Sequence, residues 1–165
     1  MKNFIKTVLY AYPFVKTVEE DYEEHIRNKA LLSYDSRMTA EVLVEYLAGE
    51  IIEMRLLEWL KEKTEEVFAQ LTEEERILTE GRYFGKRKKL REYLNGKEGN
   101  GRGESARNYF RKQKRLEEKL EKMLVNAGIT EEIYFSRLHT VETLSKIYRF
   151  LEREELSKKC EKGQV

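Results

Sequence analysis

A chain of 165 residues with 40% apolar and 38% charged side chains holds enough apolar material for one domain, or two small ones, with a modest core. A single proline, nine glycines and 11% aromatic residues exclude a sandwich or barrel of many short turns, since such folds spend Gly and Pro at every hairpin. Glu, Lys, Arg and Leu dominate and lose little rotamer freedom in a helix, so the expected class is all-α: a multi-helix protein with one long central helix. The lone cysteine, Cys160, rules out an intrachain disulfide or a cysteine zinc site and points to a reducing compartment. Lys6 interrupts the apolar N-terminal stretch, and no run reaches the ~18 apolar residues of a bilayer span. The expectation is a cytoplasmic protein with no membrane partner.

The net charge of +1 conceals a segregation. Residues 17 to 80 carry 7 basic and 18 acidic side chains, whereas residues 81 to 119 carry 14 basic and 5 acidic. The second block alone is as basic as many nucleic-acid-binding segments.

In chain order, Pro13 is expected to separate a short first helix from a second, because it removes a donor and pushes Tyr12 away from helical dihedrals. Val15, Val18, Tyr22 and Ile26 then have helical spacing to about Leu32, with Glu19, Glu20, Glu23 and Glu24 outward. Residues 33 to 37 read as a connection and Thr39 as an N-cap. Leu43, Leu47, Ile51, Met54, Leu57, Thr64, Phe68 and Leu71 follow at helical steps and predict a helix of roughly thirty residues, about 45 Å long. Val42, Val44, Tyr46, Ile52, Leu56, Trp59 and Leu60 widen its apolar stripe enough to require two neighbours.

Thr72 and Glu75 have capping-box spacing, so a helix restarts there and stops near Gly85. A short basic helix, Lys86 to Leu94, leads into a glycine-rich loop at residues 96 to 103. Beyond Glu104 a long helix runs to about Asn126, with Tyr109, Gln113, Leu116, Leu120 and Met123 on one stripe. Gly128 ends it, Thr130 caps a short helix, Thr140 opens a last one, and the residues from Ser157 should fray.

Enzyme constellations are absent. His25 and His139 are far apart and in no His-Glu-x-x-His arrangement, Cys160 lies in a charged tail, and the glycine cluster lacks the Gly-Lys-Ser/Thr ending of a phosphate loop. The expectation is no catalytic residue, no metal and no cofactor.

Taking Leu116 as the centre of the buried stripe, Arg107, Arg111 and Lys114 fall on the opposite face, with Asn108 and Arg115 at its flank. A helix that enters the DNA major groove has this layout: Arg spans guanine O6 and N7, and Asn pairs with adenine. Lys86, Arg87, Lys88, Lys89 and Arg91, together with Lys114 and Arg115, suit phosphates, which supply affinity without sequence preference.

Leu71-Thr72-Glu73-Glu74-Glu75-Arg76-Ile77-Leu78 and Arg82-Tyr83-Phe84-Gly85 resemble the opening helix of region 4 of bacterial sigma factors. Ser105-Ala106-Arg107-Asn108-Tyr109-Phe110-Arg111-Lys112-Gln113 is similar to the recognition helix of sigma-like phage regulators of the ArpU and RinA type. The resemblance implies a helix-turn-helix in which Ser105, Arg107, Asn108, Arg111 and Lys112 read bases. The family has a turn of three or four residues where this chain inserts about ten. A weaker helix-turn-helix candidate joins Leu120 to Ala127 with Glu131 to Leu138, and its second helix has only Arg137 as a cation.

The reading divides the chain into an acidic dimerisation or docking region (1–71), a sigma-like DNA-binding region (72–126) and a helical extension (127–165). Its partners would be double-stranded DNA, RNA polymerase and a further copy of itself. The alternative is a non-catalytic assembly module whose acidic and basic surfaces pair between subunits.

Overall fold

The computed structural model describes residues 1–31, 39–96 and 106–161. Every regular element among them is helical: α1 (Asn3–Leu31), α2 (Ala40–Ala69), α3 (Glu73–Tyr83), α4 (Arg87–Gly96), α5 (Ala106–Asn126), α6 (Glu131–Ser136), a 3-10 turn (Leu138–Thr140) and α7 (Glu142–Glu161). No helix among them is long and apolar enough to cross a membrane.

The first half of α1 is the centre of the core. Phe4, Ile5, Val8, Leu9, Ala11 and Val15 are buried, enclosed by Leu57, Leu60 and Val67 of α2, Leu116, Leu120 and Leu124 of α5, and Tyr134, Leu138 and Leu144 of the C-terminal elements. The Tyr134 hydroxyl donates to the Leu144 carbonyl at 3.3 Å, which satisfies the one polar atom of that buried ring. Residues from all three of the segments distinguished in the sequence share this cluster.

Pro13 does not divide the first segment, because α1 runs through it without a break. Its missing N–H and the clash of its ring would cost an isolated helix about 3 kcal/mol. Here Leu9 and Ala11 before it and Val15 after it are all locked in the core, and the ring itself faces solvent. Tyr12 is helical, and its ring meets Phe68 and Phe84 at centroid distances of 5.0 and 5.3 Å. Tertiary packing overrides the local preference.

Beyond this core, α1 and α2 continue as a two-helix arm. The buried residues of α1 stop at Val15 and those of α2 begin at Leu57, so the distal halves pack on each other. Polar contacts join them: Tyr22 donates to Glu53, His25 shares a hydrogen bond with Tyr46 at 2.9 Å, and Lys61 binds Glu19 at 3.1 Å. Glu19 is therefore turned toward α2, whereas Glu20, Glu23 and Glu24 face solvent as their spacing predicts.

Local signals place most of the boundaries. The Thr39 side chain accepts from Val42 N–H and that of Thr130 from Ile133 N–H. Thr72 and Glu75 form a complete capping box at the start of α3. Gly85, at φ 71°, takes the left-handed conformation that ends α3 and redirects the chain into α4, which spans Arg87–Gly96 where the sequence predicts Lys86 to Leu94. Two expectations fail at the C-terminal end. Thr140 does not open α7, because its hydroxyl donates to the Arg137 carbonyl at 2.6 Å and closes the 3-10 turn, so the helix begins at Glu142. Past Ser157, α7 stays helical to Glu161, with Lys158 and Glu154 paired at 3.0 Å. The glycine-rich loop lies outside the described residues apart from Gly96, the last residue of α4.

A Cβ at Gly81 would lie 2.6 Å from Cβ of Leu90, so Gly81→Val should force α4 off α3 and cost about 1–3 kcal/mol in urea unfolding. Burial acts to raise the Glu75 carboxyl, but the Lys119 ammonium and the Thr72 backbone N–H outweigh it and hold the group below its ordinary value. The stability it confers is complete above the unfolded carboxylate pKa of about 4.3 and is lost as pH falls through the lowered folded value. Acid titration of Glu75→Gln should therefore show a flatter acid limb than the parent chain.

Candidate nucleic-acid interface

Helix α3 carries a row of glutamates on two adjoining faces, and each face holds a basic helix. On the first, Glu80 meets Lys86 at 3.2 Å and Lys89 at 3.6 Å, and Glu73 meets Lys89 at 3.7 Å. These pairs and the Gly81–Leu90 approach seat α4. On the second, Glu74 binds Lys112 at 2.7 Å and Glu75 binds Lys119 at 2.8 Å. Glu117 of α5 reaches back to Arg82 at 3.0 Å and accepts from the Tyr83 hydroxyl at 3.1 Å. Burial, and then the Glu117 carboxylate, push that hydroxyl above its ordinary range, which keeps it a donor.

The pairing divides the expected phosphate and base contacts into two groups. Lys86, Lys89 and Lys112 are held by α3, and Lys88 stands 4.0 Å from Glu92 on its own helix. Arg87, Arg91, Arg107, Arg111, Lys114 and Arg115 are exposed and form no ion pair among the described residues. Arginine's planar fork suits the two acceptors of guanine or of a phosphate better than lysine's point charge does.

On α5 the spacing puts Arg107, Arg111 and Lys114 on the face opposite the buried Gln113, Leu116 and Leu120. The Arg111 guanidinium donates to Oδ1 of Asn108 at 2.9 Å. That bond takes up one of the acceptors Asn108 would bring to a base edge, and it fixes the direction in which Arg111 projects. Lys112 is half-buried and turned toward α3, away from the Arg107–Arg111 ridge. Ser105 and the link between α4 and α5 lie outside the described residues.

Phe110 is a residue of the ridge that the charge pattern of α5 does not single out. Its ring is 63% exposed and stands on the same ridge, one helical turn from Arg107 and from Lys114, packed edge-on against Tyr109 at 5.3 Å. An exposed aromatic ring among cations is suited to a thymine methyl or a base face. A large apolar residue off the buried stripe, at a position surrounded by Arg and Lys, was the available signal.

The weaker helix-turn-helix candidate is spent on the core. Leu120, Leu124, Ile129, Tyr134 and Leu138 are fully buried, and α6 has six residues. No protein-family model, curated protein or solved structure matches this chain.

Proposed function

We propose that this chain is a sequence-specific DNA-binding transcriptional regulator that acts by binding and recruitment and performs no chemistry. The observation that carries the reading is the ridge of α5, where Arg107, Arg111 and Lys114 point outward with Phe110 among them, while Lys112 and Lys119 of the same helix are neutralised by α3. From Arg107 to Lys114 this face carries cations and an aromatic ring and no carboxylate, and the first acidic side chain on it, Glu118, comes one turn later.

In this reading Arg107 and Arg111 meet base edges and Asn108 orients Arg111. Lys112 positions α5 on α3, and Phe110 packs on a base, while the base-reading role expected of Ser105 falls outside the described residues. Arg87, Arg91, Lys114 and Arg115 take phosphates, as does Lys88, whose pair with Glu92 is long and solvent-exposed. The resemblance to sigma region 4 supports a site of action at cytoplasmic promoter DNA, with the acidic N-terminal helices free to dock RNA polymerase.

A second reading is a non-catalytic assembly module, which would draw on the exposed arginines of α4 and α5 and the acidic α1–α2 arm, since the glutamate–lysine pairs of α3 are already closed within one copy. Salt separates the two readings. DNA retention should fall with a slope near −0.9 per phosphate contact, whereas an assembly held by ion pairs between copies would dissociate with no effect on DNA.

The deciding experiment is selection from a randomised duplex pool followed by mobility shift with variants. Arg107→Ala and Arg111→Ala should each cost about 1–3 kcal/mol on the selected duplex and relax its consensus. Arg87→Ala and Arg91→Ala should weaken selected and random duplexes alike and each reduce the salt slope by about one. Equal losses from both pairs on both duplexes, or no retained duplex at low salt, would overturn the assignment.

A further inference from the structure

The N-terminal half of α2 has apolar residues around its whole circumference but one helical neighbour among the described residues. Its inner side meets α1 through Tyr46, Glu53 and Leu57. The side turned away from α1 carries Val44, Ala48, Ile51 and Ile52, all exposed, with Ile52 60% and Val44 66% accessible. A helix that is apolar all round is ordinarily covered on every side, and apolar side chains clustered on a surface mark an interface.

The pattern on that outer side identifies what covers it. Glu45, Ala48, Ile52 and Arg55 recur in steps of three, four and three, the seam spacing of a left-handed helix pair. If a second copy of α2 lies antiparallel across it, with the twofold axis between Ala48 and Ile52, the small Ala48 of each copy faces the large Ile52 of the other. The same register brings each Glu45 opposite an Arg55. Neither Glu45 nor Arg55 forms an ion pair within the chain, among the described residues. A parallel arrangement would instead stack Glu45 on Glu45 and Arg55 on Arg55.

We infer that the outer side of the α2 arm binds a second copy of this chain, as an antiparallel, twofold-symmetric dimer centred between Ala48 and Ile52. The interface is self-complementary in size and in charge, as an isologous contact must be. Glu45 and Arg55 are separated by about 15 Å at 1.5 Å per residue, so the contact is small and the dimer should dissociate on dilution. Two α1–α2 arms joined through α2 make a four-helix layer with the DNA-contacting ends of the two copies pointing apart. The inference holds whether or not α5 binds DNA.

Sedimentation velocity of the full chain over a wide concentration range tests it, with far-UV circular dichroism to verify that each variant is folded. The parent chain should pass from monomer to dimer. Ile52→Asp should remain monomeric throughout with unchanged helicity, since Ile52 contributes little to the monomer's own packing. Arg55→Glu should raise the dissociation constant about tenfold or more by replacing two attractions with two repulsions, and Glu45→Arg should do the same. The doubly reversed chain, Glu45→Arg with Arg55→Glu, should recover the dimer. A parent chain that stays monomeric or forms a larger assembly would overturn the inference, as would a dimer untouched by Ile52→Asp. Failure of the doubly reversed chain to recover would overturn the antiparallel register. None of these readouts depends on nucleic acid, so they stand apart from the mobility-shift result.

Discussion

The arrangement of the basic half of the chain rests on the carboxylates of α3. Glu73, Glu74, Glu75 and Glu80 each engage a lysine from α4 or α5, with Glu117 returning the bond from the opposite direction. Ion pairs this exposed add little stability one by one. Their consequence is geometric. By occupying the lysines they give α4 and α5 defined rotations against α3, and the arginines on the remaining faces are left to solvent. Charge that looked like a single basic block of sequence is thereby divided into a part that builds the protein and a part that is presented.

That division could not be read from the chain. Periodicity locates Arg107, Arg111 and Lys114 opposite Leu116, because a helix converts spacing into direction. It says nothing about which surrounding carboxylate lies within reach of Lys112, since Glu74 is 38 residues away and the approach is set by how α3 crosses α5. The same limit applies to Asn108, whose engagement with Arg111 depends on rotamers, and to Glu19, drawn in by Lys61 of another helix. Phe110 was legible in principle, as an aromatic residue misplaced from its apolar stripe.

Helix starts were the most legible features, because capping is settled within four residues. Thr39, Thr72 and Thr130 each fulfil the role their neighbours predict. Thr140 misled for the same reason that makes threonine a cap: its hydroxyl seeks a nearby backbone group, and here it donates to the Arg137 carbonyl. Pro13 misled because its preference is local, and a segment whose inner face is locked in the core by Leu9, Ala11 and Val15 is governed by that packing. The breadth of the α2 stripe did call for two neighbours. Those neighbours are α1 and α5, and only the N-terminal half of α2 keeps an exposed apolar side, the one that the proposed dimer would cover.

The unbroken course of α1 has a mechanical meaning. One continuous rod has its near end gripped at the centre of the molecule by Phe4, Ile5 and Leu9 and its far end in the arm beside His25 and Lys29. Pro13, lacking its backbone bond, sits just inside the end of the gripped length, between the buried Ala11 and Val15, at the position where the rod has one hydrogen bond fewer to resist bending. A lever this long would put its greatest bending moment near that position, and the packing of Val15 in the core and of Tyr12 on Phe68 is what holds the helix straight there.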